Sequence, residues 1–201
     1  MDTKMLFGSA TLCVITIAYL ILNRGIYITR GKGQNSFTWA LWGVLDLILY
    51  FKIKEEDGLS AMLALGCVIG SLFTSLHLFK YKKEWTKNEN RTLYFIGVIV
   101  LMMIFSFSAK TIIIIAVIAE MVSGWPLMVD TWKNPDNSGY TLMSYLVFLL
   151  GYFLNVTENY VLYPNQVFGD KFVENMLFPI AFIIFSFFDT LPLVIAWLRR
   201  K

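Results

Sequence analysis

The chain is short of the side chains from which most catalytic and metal centres are assembled. It has one histidine, His77, and two cysteines, Cys13 and Cys67. Both cysteines sit inside apolar stretches, with no second Cys or His at metal-ligand spacing, so they read as small buried residues and not as a disulfide or a metal site. HExxH, GxSxG and phosphate-cradling glycine loops are all missing, which leaves no motif for a metalloprotease, an α/β-hydrolase or a nucleotide hydrolase. The last apolar stretch has no mid-span lysine for a retinal Schiff base, and the Gly-x-Gly-Asp setting of intramembrane proteases is lacking. No enzyme, no cofactor and no metal is expected.

Charge is scarce too. Charged residues make up 15% of the 201 and hydrophobic ones 57%, against about 25% and 45–50% in ordinary soluble domains. A membrane crossing takes about 20 predominantly apolar residues, and seven such spans are expected near 5–23, 36–53, 59–79, 92–108, 111–132, 139–156 and 173–198. Connectors are short and leave no room for a separate soluble domain. The first span does not read as a secretory signal, because its apolar run is long and no small-x-small cleavage site precedes Arg24.

What charge there is falls unevenly. With the N-terminus outside, only Lys4, Lys52, Lys54, Lys110 and Lys171 of the 17 Lys and Arg face outward. The positive-inside bias therefore predicts an external N-terminus and a cytoplasmic C-terminus. The basic run Lys80-Tyr81-Lys82-Lys83 lies at a membrane edge, where such charge belongs, so no nucleic-acid partner is expected. Membrane lipid is the expected surrounding, and compactness suggests a bacterial inner membrane.

Two stretches a hundred residues apart are alike. Ala18-Tyr19-Leu20-Ile21-Leu22-Asn23-Arg24-Gly25, a polar break and Asn35-Ser36-Phe37-Thr38-Trp39 are answered by Ala119-Glu120-Met121-Val122-Ser123-Gly124-Trp125-Pro126, a break and Asn137-Ser138-Gly139-Tyr140-Thr141. Each copy lies where one span ends and the next begins. This predicts an all-α integral membrane fold of seven transmembrane helices: two parallel three-helix-bundle repeats, 1–88 and 110–201, joined by a linker helix in 89–109. The odd linker lets both triplets enter the membrane in the same sense.

The 3+1+3 plan, the polarity and the turn Gly124-Trp125-Pro126-Leu127 together resemble the PQ-loop and SWEET superfamily, which includes sugar facilitators and lysosomal amino-acid exporters. Pro126-Leu127 stands where that family has Pro-Gln, followed by Thr131-Trp132-Lys133-Asn134-Pro135 and Ser138. The first copy has Gly25-Ile26, then Thr29-Arg30-Gly31-Lys32 and Ser36. Both glutamines are missing. The resemblance implies alternating access, with a gating hinge at Pro126 beside Gly124, and Gly25 as the counterpart in the first triplet. A proline late in a span removes a backbone hydrogen bond and clashes with the preceding turn. Pro179 and Pro192 offer two further bends.

An ionisable group near the bilayer centre costs about 2.5–3.5 kcal/mol on insertion scales, so each calls for a reason. Asp46, Glu120 and Asp189 are three such acids. A carboxyl that can gain and lose a proton is what proton coupling needs; the alternative for Glu120 is a structural acid, permanently neutral or paired with Arg24. Helical spacing puts Trp39, Trp42 and Asp46 on one face, and Tyr145, Tyr152 and Asn155 on another. Thr16, Tyr19 and Asn23 share a face, as do Glu120, Ser123 and Gly124. The last span carries Asn175, Pro179, Phe182, Ser186 and Asp189. Converging, these stripes make an aromatic-walled polar cavity, lined by Tyr19, Asn23, Trp42, Asp46, Glu120, Ser123, Tyr145, Asn155 and Asn175. Trp39 fits an interfacial anchor equally well, as do Trp125, Trp132 and Trp197.

Aligning the copies sets Asp46 against Phe148 and Glu120 against Tyr19, so each half supplies one acid. In span three, Gly66, Gly70 and Thr74 permit close helix packing, inside the first triplet or between copies of the chain. Homo-oligomerisation and proton coupling stay open. The expected activity is transport of a small polar solute, a sugar, an amino acid or similar. The alternative is a non-transporting seven-helix receptor or assembly factor on the same fold.

Overall fold

The computed structural model describes residues 3–55, 60–81, 87–105, 108–135, 138–162, 164–167, 169 and 171–199. The side chains of Asp189 and Pro192, expected as a third acid and a bend, lie outside the described residues. Nine α-helices are described: α1 Thr3–Thr29, α2 Ser36–Glu55, α3 Ala61–Phe79, α4 Lys87–Ile104, α5 Ala109–Ser123, α6 Trp125–Lys133, α7 Ser138–Leu162, α8 Pro164–Val167 and α9 Phe178–Arg199. A π-helical turn, Val173–Leu177, leads into α9. No strand occurs among the described residues.

Long apolar runs become helices in lipid because every backbone donor and acceptor must be satisfied within the segment. Among the described residues, five stretches are long and apolar enough to cross a membrane: Leu6–Thr29, Ser36–Glu55, Ala61–Phe79, Ala109–Lys133 and Gly139–Leu162. Two more apolar helical stretches, Asn90–Met102 and Val173–Ile184, are shorter. The chain is a multi-pass membrane protein in which Leu20, Ile69, Leu76 and Phe187 point outward from the bundle. The fifth expected span is not one straight helix. α5 and α6 meet at Gly124, and Pro126 opens α6, where its missing N–H removes the bond that would have continued α5.

The packing follows a simple scheme. α3 lies against both α1 and α2, while α9 lies against α7 and α6 and touches α5; α1 packs on α7, α2 on α5, and α4 on α5. Gly8 near the start of α1 sits beside Met62 near the start of α3. Lys110 at the start of α5 reaches Glu174 in the π-turn, Nζ to Oε1 3.6 Å. α1 and α5 therefore run in the same direction from one end of the bundle. Gly66 and Gly70 bring α3 close to α1: a Cβ at Gly66 would press on Leu12 and Ile15, and one at Gly70 would collide with the ring of Tyr19. These small residues thus pack helices within the chain.

The α1–α2 turn is set by backbone that few residues tolerate. Arg30, Gly31 and Gly33 all have positive φ, 53°, 73° and 71°. At Gly33 a side chain is excluded twice over, since a Cβ would also collide with the Asn134 carbonyl at the end of α6. This close approach locks the first turn onto the second half of the chain.

Candidate functional site

Six helices, α1, α2, α3, α5, α7 and α9, send side chains to one narrow central cavity of about 30 Å³. Spacing along the helices explains the convergence. α2 gives Trp39, Trp42 and Asp46, at i, i+3 and i+7; α7 gives Tyr145, Phe148 and Tyr152 at the same intervals. α1 adds Tyr19, α3 Cys67 and Ser71, α5 Glu120, and α9 Phe182 and Ser186.

The aromatic rings form a continuous wall. Tyr19 meets Phe148 edge-to-face at 4.7 Å between centroids and Trp39 at 5.9 Å; Trp39 meets Trp42 at 4.8 Å, and Tyr152 meets Phe182 at 5.4 Å. Edge-to-face geometry sets the positive edge of one ring on the negative face of the next. Trp39, expected to fit an interfacial anchor equally well, is instead 1% exposed and part of this wall.

The polar groups are unequally satisfied. Tyr19 Oη and Ser71 Oγ share a 2.7 Å hydrogen bond, and Tyr19 Oη also donates to the Cys67 carbonyl at 3.3 Å. Ser71 Oγ lies 3.4 Å from Asp46 Oδ2. The indole Nε1 of Trp39 donates to Gln34 Oε1 at 3.1 Å and that of Trp42 to the Glu120 carbonyl at 2.9 Å. Asp46 and Glu120 are close enough for their carboxyls to act on one another. Apart from Asp46, no described residue gives a hydrogen bond to either carboxyl oxygen of Glu120, which is 1% exposed. Arg24, considered as a partner for it, is exposed to the surroundings of the bundle.

Two polar networks lie beyond the cavity, one toward each end of the bundle. At the α1–α2 turn, Asn35 Nδ2 donates to Asp130 Oδ2 at 2.9 Å, Thr131 Oγ1 to the Gly33 carbonyl at 2.9 Å, and Gln34 Nε2 to Thr141 Oγ1 at 2.7 Å. Thr38 Oγ1 adds a bond to the Ser123 carbonyl at 3.1 Å. All four join the first half of the chain to the second. At the opposite end, Ser60, just before α3, donates to Asn155 Oδ1 at 2.9 Å or to the Asn175 carbonyl at 2.6 Å. Asn159 Nδ2 donates to that same carbonyl at 2.6 Å. The π-turn aims the Asn175 carbonyl at these donors; such single turns are frequent at functional sites.

Of the nine residues expected to line the cavity, Tyr19, Trp42, Asp46, Glu120 and Tyr145 do so. The other four are elsewhere. Asn23 ties α1 to α3, bonding Thr74 Oγ1 and His77 Nδ1 at 2.8 Å each. Ser123 donates to the Glu120 carbonyl at 2.9 Å, while Asn155 and Asn175 belong to the end network around Ser60. Of the hinge residues, Gly124 and Pro126 stand at the α5–α6 junction, whereas α1 runs without a break through Gly25.

Sequence reasoning did not single out Gln34, Asp130, Thr131 and Thr141 at one end, or Ser60, Asn159, Glu158 and Glu174 at the other. Asn159 follows Asn155 at i+4 and Glu174 adjoins Asn175, so a search for amides and acids clustered at span ends would have found those two. Nothing in the sequence marks Ser60. Cys67, expected only as a small buried residue, also faces the cavity, as does Ser71. No group of His, Cys, Asp and Glu among the described residues could hold a metal ion. No family model, curated protein or solved structure matches the chain.

Proposed function

We propose that the chain is a carrier, not an enzyme, moving a small polar solute across a bacterial inner membrane by alternating access. In this reading it has seven transmembrane helices in a PQ-loop-like 3+1+3 plan, with triplets 1–88 and 110–201 and a linker in 89–109. The N-terminus is external and the C-terminus cytoplasmic. The observation that carries the reading is the central cavity between α1–α3 and α5–α9, flanked toward each end of the bundle by a separate side-chain network. Two networks of a few hydrogen bonds each, on either side of one site, suit a carrier that opens first one end and then the other. Corresponding packing of the two halves, α1 on α7 and α2 on α5, gives the rocking motion an axis. The junction at Gly124 and Pro126 gives α6, which carries Asp130 and Thr131 of one network, a place to pivot.

Cys67 makes the test direct, because it lines the cavity and the only other cysteine, Cys13, is replaceable. In a Cys13→Ser background, a membrane-impermeant maleimide applied to sealed vesicles of either orientation should label Cys67 from both sides. Ser186→Cys in a cysteine-free chain supplies a second reporter in the same cavity. Labelling from one side alone at both positions would point to a receptor and end the carrier reading.

A further inference from the structure

The cavity's lining is lopsided in a way that selects its occupant. Seven of its twelve described lining side chains are aromatic, two are carboxylic acids, and none is Lys, Arg or His. Both indole N–H groups already bond inside the protein, and the Tyr19 hydroxyl is held between Ser71 and the Cys67 carbonyl. What stands out is acceptor capacity: Glu120 and Asp46 meet one another in the cavity, and Glu120 takes no donor from any other described residue.

We infer that the cavity, once widened from the narrow form of this structure, takes a small organic cation, an ammonium group on a compact carbon frame, held against the Asp46–Glu120 carboxyl pair and the surrounding ring faces. The inference rests on the cavity being the solute site and names the class of that solute. A buried carboxyl is costly unless paired, and a bound ammonium would supply both the missing charge and the missing donors. Aromatic faces attract such cations through the ring quadrupole, most strongly when the site is desolvated.

The competing solutes fit less well. A sugar presents many hydroxyls and asks for donors as well as acceptors, and here the indole donors are spent. A zwitterionic amino acid or an organic anion brings a carboxylate with no Lys, Arg or His among the described residues of the wall to meet it. A hard inorganic cation such as calcium wants six to eight oxygen ligands; two carboxyls set among rings do not provide them, and no metal-holding group is found among the described residues.

The experiment uses the purified full-length chain in detergent, with methylammonium, choline, glucose, glycine and acetate as probes. Calorimetry and thermal unfolding should show saturable binding and stabilisation with methylammonium and choline, and none with the other three. Choline should also protect Cys67 from maleimide. Glu120→Gln and Asp46→Asn, each close to isosteric, should weaken both ammonium probes at least tenfold. Phe148→Leu, which keeps both acids and removes one ring face, should weaken choline several-fold. Ammonium binding unchanged in Glu120→Gln, binding of glucose or glycine in place of the cations, or no binding by any probe overturns the inference. Two-sided labelling of Cys67 without ammonium binding removes the cation and leaves the carrier; ammonium binding with one-sided labelling does the reverse.

Discussion

The indole Nε1 of Trp42 donates to the main-chain carbonyl of Glu120 across 2.9 Å, linking α2 to α5 beside the cavity that both side chains line. That carbonyl is heavily used: Ser123 Oγ donates to it at 2.9 Å and the Gly124 N–H at 3.2 Å. The bond therefore fixes the acid's backbone where the helix is about to break at Pro126, and leaves its carboxyl to meet Asp46 in the cavity.

Trp42→Phe removes this cross-link while keeping most of the ring's bulk. Losing a buried hydrogen bond costs about 1–3 kcal/mol when an acceptor is stranded. Here two donors remain on the carbonyl, so a loss of about 1 kcal/mol is expected, read as a lowered thermal midpoint in detergent. Trp42→Phe combined with Ser123→Ala should lose more than the sum of the two single changes. Strict additivity would show that the shared carbonyl does not couple them.

Gly70→Ala tests how the cavity wall is held. The new methyl would collide with the Tyr19 ring, which would have to leave its place over α3 and its hydrogen bond to Ser71. Overpacking of this kind typically costs 1–3 kcal/mol. Adding Tyr19→Ala makes room for the methyl, so the double variant should be less destabilised than the two single effects added together. A Gly70→Ala chain as stable as wild type would mean that Tyr19 has an alternative seat.

How much of this was legible beforehand depended on periodicity. Trp39, Trp42 and Asp46, or Tyr145 and Tyr152, share a face because a helix repeats every 3.6 residues, so the sequence alone could assemble those stripes. Depth was harder to read. Asn23 and Asn155 lie on the right faces but further along their helices, where Asn23 finds Thr74 and His77, and Asn155 finds Ser60. Asn175 falls in the π-turn, which breaks the step of four that connected it to Pro179. The end networks escaped notice for a different reason. Gly33 with Thr131, and Ser60 with Asn175, are pairs about a hundred residues apart, and no local pattern records such a meeting.

Loosening one end network at a time should change access in opposite directions. Asn35→Ala deletes the bond to Asp130, and Asn159→Ala deletes one of the two donors to the Asn175 carbonyl. In the Cys13→Ser background, Asn35→Ala should raise Cys67 labelling several-fold from the side bearing the α1–α2 turn, and Asn159→Ala from the opposite side. If both variants raise labelling from one and the same side, the two networks are not opposed closures.

Glu120→Met separates what the acid does for folding from what it does for binding. Among the described residues the carboxyl's one side-chain partner is Asp46, itself an acid, so the contact pairs it with no opposite charge. A poorly compensated buried polar group costs roughly 1–3 kcal/mol by mutational measures. Met fills similar space and adapts to irregular walls, so the variant should gain stability of about that size. For a chain of this length, each kcal/mol is worth about 2–4 °C in the thermal midpoint. The same variant should fail to bind methylammonium, because the acceptors are gone. Stability rising while binding disappears is the pattern of a residue kept for its ligand at the fold's expense. Should Glu120→Met instead lower the midpoint by several degrees, the carboxyl is held by contacts within the fold, and the cavity loses its claim to a cation.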